Sequence, residues 1–230
     1  MTGYSTRTFF IKPSQKGVKD FEDLINSDYQ IKISNWFSSG WEIFKKNAGV
    51  SIAFAVLAGI GYLLLSSIPF VGILVWYPII AGFIIVSLMF FRNQTIEFKN
   101  YLWGFRHFFP LLVFTIVSTI FILIGLLLFI VPGIYLTVAY LFAPCLIVEK
   151  NIDFWPAMEI SRKRVNKHWF GMFGFSIVII LLNIVGCLPF FVGLFITIPL
   201  SAFIITAAYK DIFIENDQMS ETAASNSMIH

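Results

Sequence analysis

The chain has 230 residues, of which 58% are hydrophobic, 18% aromatic and only 13% charged, with a mean hydropathy of +0.82. Soluble domains carry roughly 45–50% apolar and about 25% charged residues, so a water-soluble globular protein is excluded. The formal net charge is +3, and the positions of the charges say more than their sum.

Residues 1–32 are polar and read as a cytoplasmic N-terminal segment with no cleavable signal. From 33 the pattern changes. Ile33, Trp36, Phe37, Trp41 and Phe44 recur at helical spacing and predict an amphipathic helix lying in the membrane surface. Residues 47–91 then run for 45 positions without an Asp, Glu, Lys or Arg; residues 107–148 form a second such block of 42, and 168–209 a third of 42. A crossing of the hydrocarbon core needs about 20 mainly apolar residues, so each block is two crossings long. Each also carries a turn signal near its middle, at Pro69, at Pro132-Gly133 and at Pro189. Proline and glycine favour chain reversal there, and a bilayer offers loose backbone groups no water, so these turns belong at the external surface. The expected spans are 49–66, 73–91, 110–130, 134–148, 171–187 and 191–209.

The fold class that follows is an all-α membrane protein, six transmembrane helices arranged as three Pro/Gly-turn helical hairpins, each preceded by an interfacial amphipathic helix. Domain organisation is then 1–32, the membrane domain 33–210, and an acidic cytoplasmic tail 211–230 with a disordered composition. The blocks start 60 and 61 residues apart, so the hairpins read either as an internal repeat or as three similar solutions to one problem. Each hairpin has a second proline, Pro78, Pro144 or Pro199, expected to kink its returning helix. The Lys and Arg residues number seven in 1–46, three in 92–106, five in 149–167 and one after 209, which accounts for all 16. The tight turns carry none, so the positive-inside rule places both termini and the longer loops in the cytoplasm.

Amphipathic stretches also precede the second and third hairpins. Phe98, Tyr101, Leu102, Phe105 and Phe109 form one; Phe154, Ala157, Met158, Val165 and Trp169 form the other, beside Arg162, Lys163, Arg164 and Lys167. Those four basic residues read either as an anionic-lipid site, each cation near the leaflet adding about 1 kcal/mol, or as ordinary juxtamembrane anchors.

No catalytic constellation is evident. The histidines are His107, His168 and His230, and the spans hold no acidic residue, so neither an intramembrane carboxylate pair nor a metal or cofactor site is expected. Asn183 is the costliest polar residue to bury alone in a span, and an interhelical hydrogen bond is its expected fate. Cys145 and Cys187 fall at opposite ends of the membrane and are not expected to pair.

The runs Val131-Pro132-Gly133-Ile134-Tyr135-Leu136 and Phe142-Ala143-Pro144-Cys145-Leu146-Ile147-Val148-Glu149, followed by Pro156 to Ser161 and His168-Trp169, resemble a group of uncharacterised bacterial integral membrane proteins. That group is similar to the membrane domain fused to some glycerophosphodiester phosphodiesterases. The likeness covers roughly residues 33–212 and implies a six-helix module near lipid or envelope functions. The chain leaves no room for a phosphodiesterase barrel, so hydrolysis does not carry over.

The function expected is a non-enzymatic scaffold or regulatory module of the bacterial inner membrane, with membrane lipids bearing anionic head groups and a membrane or cytoplasmic protein as partners, and no nucleic acid. The alternative is a lipid-handling or small-molecule transport protein, which requires a mid-membrane cavity beside Pro78, Pro144 or Pro199. An enzyme would need a polar cluster around Glu149, Asp153 and His168.

Overall fold

The computed structural model describes residues 17–66, 71–189 and 191–215, and every regular element among them is helical. The elements are α1 (Glu22–Asn26), α2 (Ile33–Ser66), α3 (Val71–Phe91), α4 (Phe98–Tyr101), α5 (Phe108–Leu128), α6 (Ile130–Ala139), α7 (Ala143–Lys150), α8 (Phe154–Asn166), α9 (Trp169–Cys187) and α10 (Leu194–Tyr209). Five stretches are long and apolar enough to cross a membrane: Ile33–Leu64, Phe98–Leu128, Ile130–Lys150, Trp169–Cys187 and Leu194–Ile214. A sixth, Trp76–Phe91 within α3, is apolar but shorter than the roughly 20 residues of a crossing.

The expected surface helix at 33–46 is not separate from the first span. Both belong to α2, which bends at Asn47 (φ −124°, ψ 17°), where the side-chain amide donates to the carbonyl of Ile43 at 3.0 Å. A local side chain serving its own helix's carbonyl lets the axis bend without leaving a backbone group unmet. The α2 and α3 helices run antiparallel, as three contacts down their length show: Tyr62 with Trp76, Phe54 with Phe83, and the Lys46 ammonium over the Phe90 ring.

The second expected surface stretch is also packed into the molecule. Tyr101 is fully buried, with its hydroxyl 2.8 Å from Ser51 Oγ of α2. A Cβ on Gly104 would collide with the Pro78 carbonyl and one on Gly82 with that of Tyr101, so glycine at both positions permits this backbone approach. The third stretch, α8, buries Ala157, Met158, Ile160, Ser161, Arg164 and Val165.

The reversal expected at Val131-Pro132-Gly133 occurs instead at Phe129 (φ −157°, ψ 140°), the only residue between α5 and α6. Pro132 lies in the first turn of α6, where a missing N–H costs nothing and the fixed φ suits a helix. Gly133 is needed for a different reason: a Cβ there would collide with Leu126, while one on Gly125 would meet the backbone of Gly133 across the pair. The α9–α10 connection closes the same way, Gly193 lying against Gly186. Pro189 lies in that connection, and Pro69 falls outside the described residues.

The expected kink prolines behave differently from one another. Pro78 and Pro199 sit inside continuous helices. Pro144 occupies the first turn of α7, after a true interruption at Tyr140–Phe142. Among the five long apolar stretches the one containing α10 is the most enclosed, with 67% of it buried against 44% or less in the other four.

Candidate functional site

The interruption between α6 and α7 opens onto a cavity of about 360 Å³. Six helices wall it. Ile80 and Ile84 come from α3, Phe114 and Ser118 from α5, Asn183 from α9, Ser201 and Ala202 from α10, and Thr137, Tyr140, Pro144 and Cys145 from either side of the interruption. No lining side chain is charged. An unpaired charge placed there would carry several kcal/mol of desolvation cost, so the walls suit an apolar occupant or a neutral polar one.

The cavity's hydrogen-bonding groups are mostly committed to the protein. Thr137 donates to the Gly133 carbonyl at 2.9 Å and Ser118 to that of Thr115 at 3.3 Å. Asn183 donates to the Ile179 carbonyl at 2.9 Å and to Ser201 Oγ at 2.7 Å, so the expected interhelical bond is present. Its Oδ1 is buried without a partner.

The interruption has its own support. Ser161 of α8 donates to the Ala139 carbonyl at 2.7 Å, and its oxygen accepts from the Phe142 N–H at 3.3 Å. One hydroxyl therefore serves the last residue of α6 and the residue ahead of α7, groups that helix continuity would otherwise have paired.

Just beyond the cavity lies a charged cluster. Glu149, whose side chain is 6% exposed, accepts from Arg92 Nη2 at 3.1 Å and from the fully buried Tyr209 hydroxyl at 2.5 Å. At the same end of the molecule Asp211 accepts from the Trp36 indole at 2.8 Å and pairs with Lys32 at 3.3 Å. Counted along the sequence, Glu149 is a loop charge. Its place four residues after Cys145, on a helix whose preceding residues are all buried, is the signal that reveals it as an inward residue.

The four basic residues expected to hold an anionic head group do not converge. Arg162 and Lys163 both pair with Glu159, at 2.8 and 3.4 Å. Lys167 donates to the carbonyls of Asn26 and Ser27. Arg164 is fully buried, donates to the carbonyls of Leu24, Ser27 and Ile212, and lies 4.7 Å from the Tyr29 ring. Burial lowers its pKa from the ordinary arginine value. The helical spacing of Ala157, Ser161, Arg164 and Val165 places Arg164 on the buried stripe, a signal outweighed in the sequence by its cationic neighbours. Its carbonyl in turn accepts from the Tyr29 hydroxyl at 3.3 Å, and burial pushes the Tyr29 pKa up to about 12.

Glu149, Asp153 and His168 form no common cluster. His168 Nε2 lies 2.7 Å from Asp28 Oδ1, and that hydrogen bond holds the Asp28 carboxyl below its ordinary range. Asp153 precedes α8 at its N-cap position. Among the described residues no group of three or more His, Cys, Asp or Glu side chains is arranged to hold a metal ion. Compared with known proteins, the chain matches no family model, no curated protein and no solved structure.

Proposed function

We propose that the chain is a multi-pass protein of the bacterial inner membrane that binds and handles a lipid-like or other apolar small molecule inside its helical bundle. The observation that carries this reading is the uncharged cavity of about 360 Å³ at the interrupted α6–α7 helix, beside Pro144. Its size falls within the roughly 300–1,000 Å³ range of small-molecule sites. Interrupted helices at membrane depth are tolerated where they line a cavity or are buried in protein, and they mark binding sites in transporters.

In this reading α3 is the sixth span. Its helix is 21 residues long, and it runs antiparallel to α2. The three antiparallel pairs then give six crossings, with the end bearing Arg92, Glu149 and Lys210 on the cytoplasmic side, in keeping with the Lys and Arg distribution. Retention of an occupant by the cavity makes the protein more than a scaffold.

The test is native mass spectrometry of the full chain in detergent-free membrane patches, wild type beside Ala202→Phe. Ala202 is 4% exposed and lines the cavity, so a phenyl ring there takes up part of its volume. The expected result is discrete bound lipid in the wild type and about a tenfold lower occupancy in a variant that keeps its melting transition. Equal occupancy in both proteins overturns the proposal and returns the chain to the scaffold reading.

A further inference from the structure

We infer that Arg92, Glu149 and Tyr209 form a latch closing the charged end of the cavity, with α7 as the moving part. The inference rests on the cavity being a binding site and names how access to it is controlled.

Three wall helices contribute one latch residue each. On α7, Cys145 lines the cavity and Glu149 follows one turn later; on α10, Ile205 lines it and Tyr209 follows one turn later. On α3 the lining residue is Ile84, and Arg92 follows two turns on, immediately after the helix ends. The two oxygens of a single carboxylate thus tie all three helices together just past the cavity, Oε1 to Arg92 and Oε2 to Tyr209.

The element carrying that carboxylate is built to move as a unit. Helix α7 has only eight residues. Its N-terminal boundary is the interruption at Tyr140–Phe142, and its C-terminal boundary is Asn151, in the left-handed region at φ 51°. Only two backbone bonds join α7 to the interruption, Ala143 N–H to the Tyr140 carbonyl and Leu146 N–H to the Phe142 carbonyl, both at 3.1 Å, so rotation of α7 disturbs little of the helical ladder. The latch is also placed to be released from water. The Glu149 side chain is 6% exposed, while that of Arg92 is 45% exposed and reachable by solvent. Packing alone does not ask for such a pair, since a buried ion pair is often matched or bettered by apolar side chains of equal volume.

Cys145 is a native reporter of opening: it lines the cavity and is 1% exposed. The experiment uses the full chain in lipid nanodiscs with Cys187→Ser, so that Cys145 is the sole thiol, and measures its rate of reaction with a water-soluble maleimide. Labelling of a buried thiol tracks the open population. Tyr209→Phe removes one arm without altering the charge on Arg92 or Glu149, and is expected to raise the rate about threefold; Arg92→Gln removes the other and is expected to raise it about tenfold. Lys46→Gln, which breaks the exposed pair with Glu42, serves as the control and leaves the rate unchanged.

Unchanged labelling in both latch variants, or an equal rise in the control, overturns the latch. Should Arg92→Gln lose its melting transition, Tyr209→Phe decides alone. Repeating each measurement with oleyl alcohol, a neutral single-chain probe, separates the two proposals. Shielding of Cys145 by the probe reads the cavity as a site, and acceleration by the variants reads the latch, so failure of the one is told apart from failure of the other.

Discussion

The α5–α6–α7 and α9–α10 regions begin from the same design and end differently. Each reverses direction around a close glycine contact, Gly125 with Gly133 and Gly186 with Gly193, and each has a proline further along the returning strand of helix, Pro144 and Pro199. Yet α10 runs continuously through Pro199, whereas the helix before Pro144 is interrupted at Tyr140–Phe142. Proline alone does not explain this, because both prolines remove one donor. The difference is Ser161, a residue of α8 whose hydroxyl serves Ala139 and Phe142 at the interruption. In α10 the Thr206 hydroxyl belongs to the helix itself, donating to the Ala202 carbonyl at 2.8 Å and meeting the Cys145 thiol of α7. A helix in an apolar setting opens where a neighbour supplies the missing partners, and stays closed where none does.

If α8 is what permits the interruption, loosening α8 has the largest effect. Arg164→Met leaves the carbonyls of Leu24, Ser27 and Ile212 without their shared donor and unties α8 from both the segment around α1 and the segment that follows α10. A loss of about 3 kcal/mol is expected, read by thermal unfolding in nanodiscs together with faster proteolysis around residues 20–30. A variant as stable as wild type makes α8 a passenger.

A narrower change sharpens the comparison. Ser161→Ala strands the Phe142 N–H and the Ala139 carbonyl in a buried place, and is expected to cost about 2 kcal/mol in the same unfolding measurement. Thr206→Val, in the continuous helix, removes a bond to a carbonyl of its own helix and a weak one to the Cys145 thiol, strands no pair of backbone groups at an interruption, and is expected to cost under about 1 kcal/mol. Equal costs at the two positions refute the role given to Ser161.

The smallest effect lies in the alkaline range. Tyr29, which donates to the Arg164 carbonyl, has its pKa raised by burial from 10.0 to about 12. A raised folded-state value means the unfolded chain loses this proton first, so the contribution is complete below pH 10 and disappears as pH climbs towards 12. Unfolding curves across that window are expected to show a decline that Tyr29→Phe makes shallower.

Much of the architecture is legible along the chain. Charge-free runs reveal membrane-length apolar helices because a charged side chain is costly in hydrocarbon and a helix meets its own backbone hydrogen bonds there. The interhelical bond of Asn183 is legible for the same reason: an amide among apolar residues must find a neighbour. The turn near Pro132 is legible only to within a few residues, since proline suits the first turn of a helix as readily as the loop before it. The candidate site is far less legible. A cavity is a shortfall of packing among six helices, and no local pattern encodes where distant side chains fail to meet.

Charge shows the same division. The sequence by itself determined that the chain is helical, apolar enough for a membrane and basic only outside its apolar blocks, because those properties follow from composition and spacing. Only the tertiary structure decided that Arg164 is a buried clasp rather than a surface cation, that Glu149 faces Tyr209 rather than water, and that Pro144 follows an interruption rather than a kink. Each of those outcomes depends on a partner far away in the sequence, and a hydrogen bond or an ion pair is a property of two groups, of which the local sequence displays one.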